Sequence, residues 1–105
     1  MKGNFITNKV ITGNIVEYKN IKKKKFFKDK IVMIENADPG FDFLFGLNIK
    51  ALITQYGGVN SHMAIRCLEE NIPACIGIGE NNYEKIKKRK IIELNCFQNN
   101  YKLLS

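Results

Sequence analysis

Three short apolar runs and one amphipathic helical stretch between two of them place this 105-residue chain in the α/β class, with a sheet flanked by short helices. Residues 31–34, 51–54 and 74–78 read Ile-Val-Met-Ile, Ala-Leu-Ile-Thr and Ala-Cys-Ile-Gly-Ile, continuous runs of strand length that suit strands buried on both faces. Between the last two, Ala64, Cys67 and Leu68 recur at i, i+3 and i+4 with Ile65 beside them, while Arg66, Glu69 and Glu70 form a polar face. The length suits one domain spanning residues 1–105, with a modest core and no linker, repeat or low-complexity segment.

Each element has its own signal. Residues 10–18 carry Val10, Ile11, Ile15 and Val16 around Gly13-Asn14, which reads as a strand with a bend or as a tight hairpin. Pro39-Gly40 turns the chain into a brief helical turn over 41–45. The strand at 51–54 feeds Gly57-Gly58, where the missing Cβ atoms allow positive φ or the close approach of another molecule. Asn60 and Ser61 are both good N-cap residues, so a helix is expected to start at His62 and run over about 62–70. Asn71 tolerates a left-handed conformation and Pro73 cannot continue a helix, which marks its end. A short basic helix is expected over 82–88, and closing strands over 91–94 and 101–104 around Gln98-Asn99-Asn100.

Composition narrows the class of function. The chain is 45% hydrophobic and 26% charged, ordinary for a globular domain. No apolar run approaches the ~20 residues of a membrane span and the N-terminus lacks the apolar core of a signal peptide, so a cytoplasmic location is expected. Cys67, Cys75 and Cys96 lack C-x-x-C spacing and read as core thiols, and with one histidine no familiar zinc spacing can be assembled. A net charge of +7 invites a nucleic-acid reading, with positive residues concentrated at Lys22–Lys25 and at Lys85, Lys87, Lys88, Arg89 and Lys90. The second cluster lacks interleaved aromatics for base stacking, so solvated surface, or contact with ATP phosphates or an acidic neighbouring domain, accounts for it better.

The chemistry concentrates in the stretch from Tyr56 to Gly79, which holds the only histidine. A helix N-terminus presents free N–H groups and the positive end of the helix dipole, so a histidine there sits where an anion such as phosphate is welcome and an imidazolium is not. A neutral imidazole nitrogen is a competent nucleophile. Taken alone, a histidine after Gly-Gly is as readily a capping or surface residue. The surrounding residues change that.

Gly57, Gly58, Ser61, His62, Ala64 and Ile65 match the pattern Gly-Gly-x-x-Ser-His-x-Ala-Ile, followed by Ile72-Pro73-Ala74 and by Ile76-Gly77-Ile78-Gly79. This wording resembles the phosphohistidine "swivelling" domain of the phosphoenolpyruvate-utilising enzymes, a family that includes pyruvate phosphate dikinase, phosphoenolpyruvate synthase, rifampin phosphotransferase and an L-glutamine kinase. Upstream, Asp38-Pro39, Leu44-Phe45 and the strand at 51–54 resemble the family's Asp-Pro segment, short helix and entering strand. Two departures stand out. Asn60 occupies the position of a regulatory threonine in plant-type dikinases, and Leu68 stands where an arginine is usual, with Arg66 two residues earlier.

The resemblance implies a swivelling β/β/α fold and a phosphocarrier role. His62 would take a phosphoryl or pyrophosphoryl group on Nε2 from ATP held by an ATP-grasp domain and deliver it to a separate acceptor-binding domain. Gly57, Gly58, Asn60 and Ser61 would support the phosphate, and Arg66 is expected to make the contact left open by Leu68. ATP and Mg²⁺ would be bound by the partner domain, on the same chain or another, with no metal held by this chain. The acceptor could be pyruvate, an antibiotic hydroxyl or an amide such as that of L-glutamine. If Ser105 is the natural end, the domain order resembles rifampin phosphotransferase and the glutamine kinase. A basic nucleic-acid-binding module and a swivelling domain that has lost catalysis are the alternatives.

Overall fold

The computed structural model describes residues 3–105. Among these, seven strands form one curled sheet in the order β1-β5-β4-β3-β2-β6-β7. The strands are β1 (Asn4–Ile6), β2 (Val10–Glu17), β3 (Ile31–Asn36), β4 (Ala51–Tyr56), β5 (Ala74–Ile76), β6 (Ile91–Asn95) and β7 (Asn100–Leu103). The helices are α1 (His62–Glu69) and α2 (Glu80–Lys87), with a 3₁₀ segment at Pro39–Gly46. This is the α/β arrangement expected of the swivelling fold.

The sheet curls because β2 changes partners along its length. Residues Val10 to Asn14 pair antiparallel with β6, whereas Ile15 to Glu17 pair parallel with β3. The bend expected at Gly13-Asn14 is therefore the hand-over point of one continuous strand, and the hairpin alternative is incorrect. Gly13 sits in a tight spot there, where a Cβ would meet the Lys50 Cδ at 3.0 Å and the Ile31 Cδ1 at 3.3 Å.

The central strands run parallel and are covered on both faces, as their unbroken apolar sequences require. Val32, Ile34, Leu52, Ala74 and Ile76 point to one layer with Leu44 of the 3₁₀ segment and Met63, Ala64 and Cys67 of α1. Ile31, Met33, Ala51, Ile53 and Cys75 point to the other, against Tyr83 and Ile86 of α2 and Ile92 and Leu94 of β6. Period-two alternation thus sorts adjacent residues into two cores.

One expectation about α1 needs correction. Its buried face is Met63, Ala64 and Cys67, whereas Leu68 is 65% exposed and Ile65 49% exposed. The i, i+3, i+4 pattern starting at Ala64 ran one residue too far. Met63, four residues before Cys67, takes the place on the buried face.

Candidate functional site

The site lies at the carboxyl end of β4, where loops of parallel sheets carry ligand-binding residues. After Tyr56 the chain makes a turn closed by the Ser61 N–H donating to the Gly58 carbonyl at 3.0 Å, and α1 begins at His62. Ser61 is the N-cap, in extended conformation, with its Oγ accepting from the Ala64 N–H at 3.3 Å. Asn71 closes the helix with φ of 59°. Both boundary signals read from the sequence hold.

The two glycines do different things. Gly57 has φ of 132°, and a Cβ there would fall 2.6 Å from the Ala37 Cβ. Gly77, with φ of 74°, crosses so close that its Cβ would lie 2.2 Å from the Gly57 carbonyl oxygen. Buried Thr54 ties the crossing together, accepting from the Gly77 N–H and donating to the Tyr56 carbonyl, each at 2.9 Å. Gly57 therefore serves internal packing, while Gly58 has open space where a Cβ would stand. The Gly-Ile-Gly after β5 is a brace for the histidine loop.

The His62 side chain is 41% exposed, and its Nε2 lies 2.9 Å from the Asp42 Oδ1. The same oxygen accepts from the Arg66 Nε at 3.0 Å. Arg66 continues to Glu70 at 3.3 Å, and its guanidinium stacks over Phe45 at 5.0 Å from the ring centroid. Asp42 thus joins the 3₁₀ segment to the first two turns of α1. The hydrogen bond from His62, and then that from Arg66, holds the Asp42 carboxyl below the usual carboxylate range. Asp42 is an ionised acceptor, so Nε2 is the donor and carries the ring proton.

Of the residues expected to form the site, the structure brings Gly58, Ser61, His62 and Arg66 together and leaves Asn60 exposed at the turn. Arg66 lies on the His62 side as its position one turn later required, and also makes the ordinary surface pair with Glu70. Asp42 was missed. Its signal was faint: an acidic residue between Asp38-Pro39 and Leu44-Phe45, which resemble the family's Asp-Pro segment and short helix, but 20 residues away in sequence. Tyr56, Val59, Ile65 and Leu68, on the end of β4, the histidine loop and α1, are each about half exposed or more.

Other features bear on what the chain could hold. Among the described residues no group of three or more His, Cys, Asp or Glu side chains could hold a metal ion, and no helix is long and apolar enough to cross a membrane. A cavity of about 200 Å³ at the ends of β2 and β3 is lined by Tyr18, Met33, Ile34, Phe41 and the carboxylates Glu17 and Glu35. Its one lysine, Lys19, is paired with Glu35.

Comparison with known proteins gives a consistent picture. A family model described as PEP-utilising enzyme, mobile domain, matches residues 26–99. The chain is 32% identical over 97 residues to the phosphoenolpyruvate synthase of Aquifex aeolicus (strain VF5), an alignment that covers 91% of this chain and 11% of that protein. The chain therefore spans about a tenth of the length of the curated relative it matches.

Proposed function

Because the chain belongs to the PEP-utilising enzyme mobile-domain family, we propose that it is a phosphocarrier whose His62 accepts a phosphoryl or pyrophosphoryl group from ATP on one domain and delivers it to an acceptor on another. The observation that carries this reading is the placement of the single histidine: exposed, at the start of a Ser61-capped helix, on a rigid strand-loop-helix unit. Rigid support matters because transfer requires the nitrogen to reach two different partners in line with phosphorus.

Each step makes a separate demand on this chain. The Nε2 lone pair attacks phosphorus, an N–P bond forms, and the bond to the leaving oxygen breaks with its electron pair. Nε2 must first give up the proton it donates to Asp42 while Nδ1 takes one up from solvent, so that the neutral ring attacks through Nε2 with its proton on Nδ1. The first-turn N–H groups, which have no intrahelical acceptors, and the Ser61 hydroxyl would meet the phosphoryl oxygens, while Gly58 leaves room for them. Arg66 supplies a positive charge on the same side.

ATP and Mg²⁺ belong in this proposal to a nucleotide-binding partner of ATP-grasp type. The cavity beside β2 and β3 does not suit the nucleotide, since two carboxylates would oppose a triphosphate and its lysine is already paired. The exposed apolar side chains Tyr56, Val59, Ile65 and Leu68 on the same strand-loop-helix unit suit a surface that docks transiently. The single-domain organisation over residues 1–105, the identity of the acceptor and the cytoplasmic location are part of the same proposal.

Replacing His62 tests it. In the assembled enzyme supplied with ATP and Mg²⁺, His62→Ala is expected to abolish turnover while leaving the domain folded. Unchanged turnover would make the domain structural and overturn the phosphocarrier reading.

A further inference from the structure

We propose that Asp42 is an internal phosphate surrogate: in the unphosphorylated domain its carboxylate occupies the place of the phosphoryl group between His62 and Arg66, and phosphorylation evicts it. This rests on the phosphocarrier reading of His62 and specifies how the same site is regulated. One carboxylate oxygen sits 2.9 Å from Nε2 and 3.0 Å from the Arg66 Nε. A phosphoryl group on Nε2 would occupy the same corner with the same charge sign and the same guanidinium partner.

Two consequences follow from electrostatics. Before transfer, an ionised carboxylate accepting from Nε2 holds the ring in the tautomer whose Nε2 lone pair is committed to a proton, so that nitrogen cannot attack until Asp42 lets go. After transfer, the carboxylate and the phosphoryl dianion cannot share the corner, because like charges at hydrogen-bond distance repel. Asp42 must then swing out, carrying its end of the link between the 3₁₀ segment and α1. The phosphorylation state of His62 is thereby coupled to how firmly Pro39–Gly46 is held against the helix, and the nearby carboxylate disfavours the phosphorylated form. Asp42 acts through His62 and is a positioning residue.

The feature is local and separable from the folding of the segment. Asp38 caps the same 3₁₀ helix, its Oδ1 accepting from the Gly40 N–H at 2.8 Å, without touching His62. Asp42 is 45% exposed and buries little. Replacing one or the other therefore distinguishes loss of a carboxylate at Nε2 from loosening of the segment.

The experiment uses the 105-residue chain and phosphoramidate, a small phosphoryl donor that needs no partner protein. The imidazole displaces ammonia from phosphorus: the N–P bond to Nε2 forms as the P–NH₃ bond breaks, and ammonia leaves with the electron pair. Nitrogen NMR of the single imidazole reports the tautomer, and phosphorus NMR reports the rate of adduct formation and its half-life. In the wild type the ring is expected to carry its proton on Nε2. In Asp42→Asn that preference should fall, and adduct formation and half-life should each rise roughly three- to fivefold, the scale of one partly exposed charge pair. Asp38→Ala should leave the tautomer and both rates unchanged. A wild-type ring with Nε2 bare, or an adduct whose formation and lifetime ignore Asp42, would overturn the surrogate alone. Absence of any adduct in both proteins would remove the phosphocarrier reading and the surrogate together.

Discussion

At the scale of single residues, the chemistry rests on one imidazole and two charged neighbours. Arg66 makes three kinds of contact, to Asp42, to Glu70 and to the Phe45 ring, but remains on the surface. Exposed pairs of this kind contribute little to folding, so Arg66→Ala should lower stability only slightly. It should slow phosphoryl transfer roughly tenfold, the loss expected when a charge-assisted contact to phosphate is removed. Equal transfer rates for the two proteins in single-turnover assays would reduce Arg66 to a helix-surface residue. Asp42 gives a second test, through pH. Its carboxyl is held below its ordinary value of 3.8, so the folded state favours the ionised form. That contribution is complete above the unfolded value and is lost as pH falls below 3.8 through the folded one. The stability difference between wild type and Asp42→Asn in urea titrations should therefore be constant near neutrality and shrink in that acid window. A difference that grew on acidification would contradict the ion-pair geometry.

At the scale of elements, the histidine loop is set by a cap and a backbone crossing. Ser61→Ala removes the side chain that accepts from Ala64, which should cost about 1 kcal/mol, while Ser61→Asp should recover most of it. The glycines divide more sharply. Gly77→Ala places a methyl 2.2 Å from a backbone oxygen at positive φ and should destabilise strongly, whereas Gly58→Ala meets nothing within 4 Å and should fold normally. Thermal melts of the two variants compare them directly, and similar melting temperatures would refute the crossing as the brace of the loop. Much of this element structure was legible in the sequence. Continuous apolar runs marked β3, β4 and β5, and Ser61, Asn71 and Pro73 marked the limits of α1, because local propensity and tertiary packing agree there. What escaped was set by partners distant in sequence. The strand Asn4–Ile6 has no strong pattern of its own and exists through pairing with β5, and the contact of Asp42 with His62 joins two elements that only the sheet brings together. Leu68 was misassigned for a related reason, since periodicity marks an apolar face but not how much of it a short helix can bury.

At the scale of the whole molecule, the core is double-sided, one layer on each face of the sheet, which suits the carrier role proposed for His62. Cys67, Cys75 and Cys96 are buried within that core, as their apolar settings suggested, and burial pushes the thiols of Cys67 and Cys75 up to about 12. Thiolate reagents should therefore label none of the three in the native protein within minutes and all three after denaturation; rapid native labelling would show that the core opens readily. The basic clusters at Lys22–Lys25 and Lys87–Lys90 lie on the surface. The most direct test of the carrier role is to locate the phosphoryl group itself. After the chain has been exposed to its nucleotide-binding partner with ATP and Mg²⁺, peptide mass spectrometry under alkaline handling should find one phosphorylated residue, His62, in an adduct lost on brief acid treatment. A stable adduct on Ser61, or on any other residue with His62 unmodified, would contradict the account.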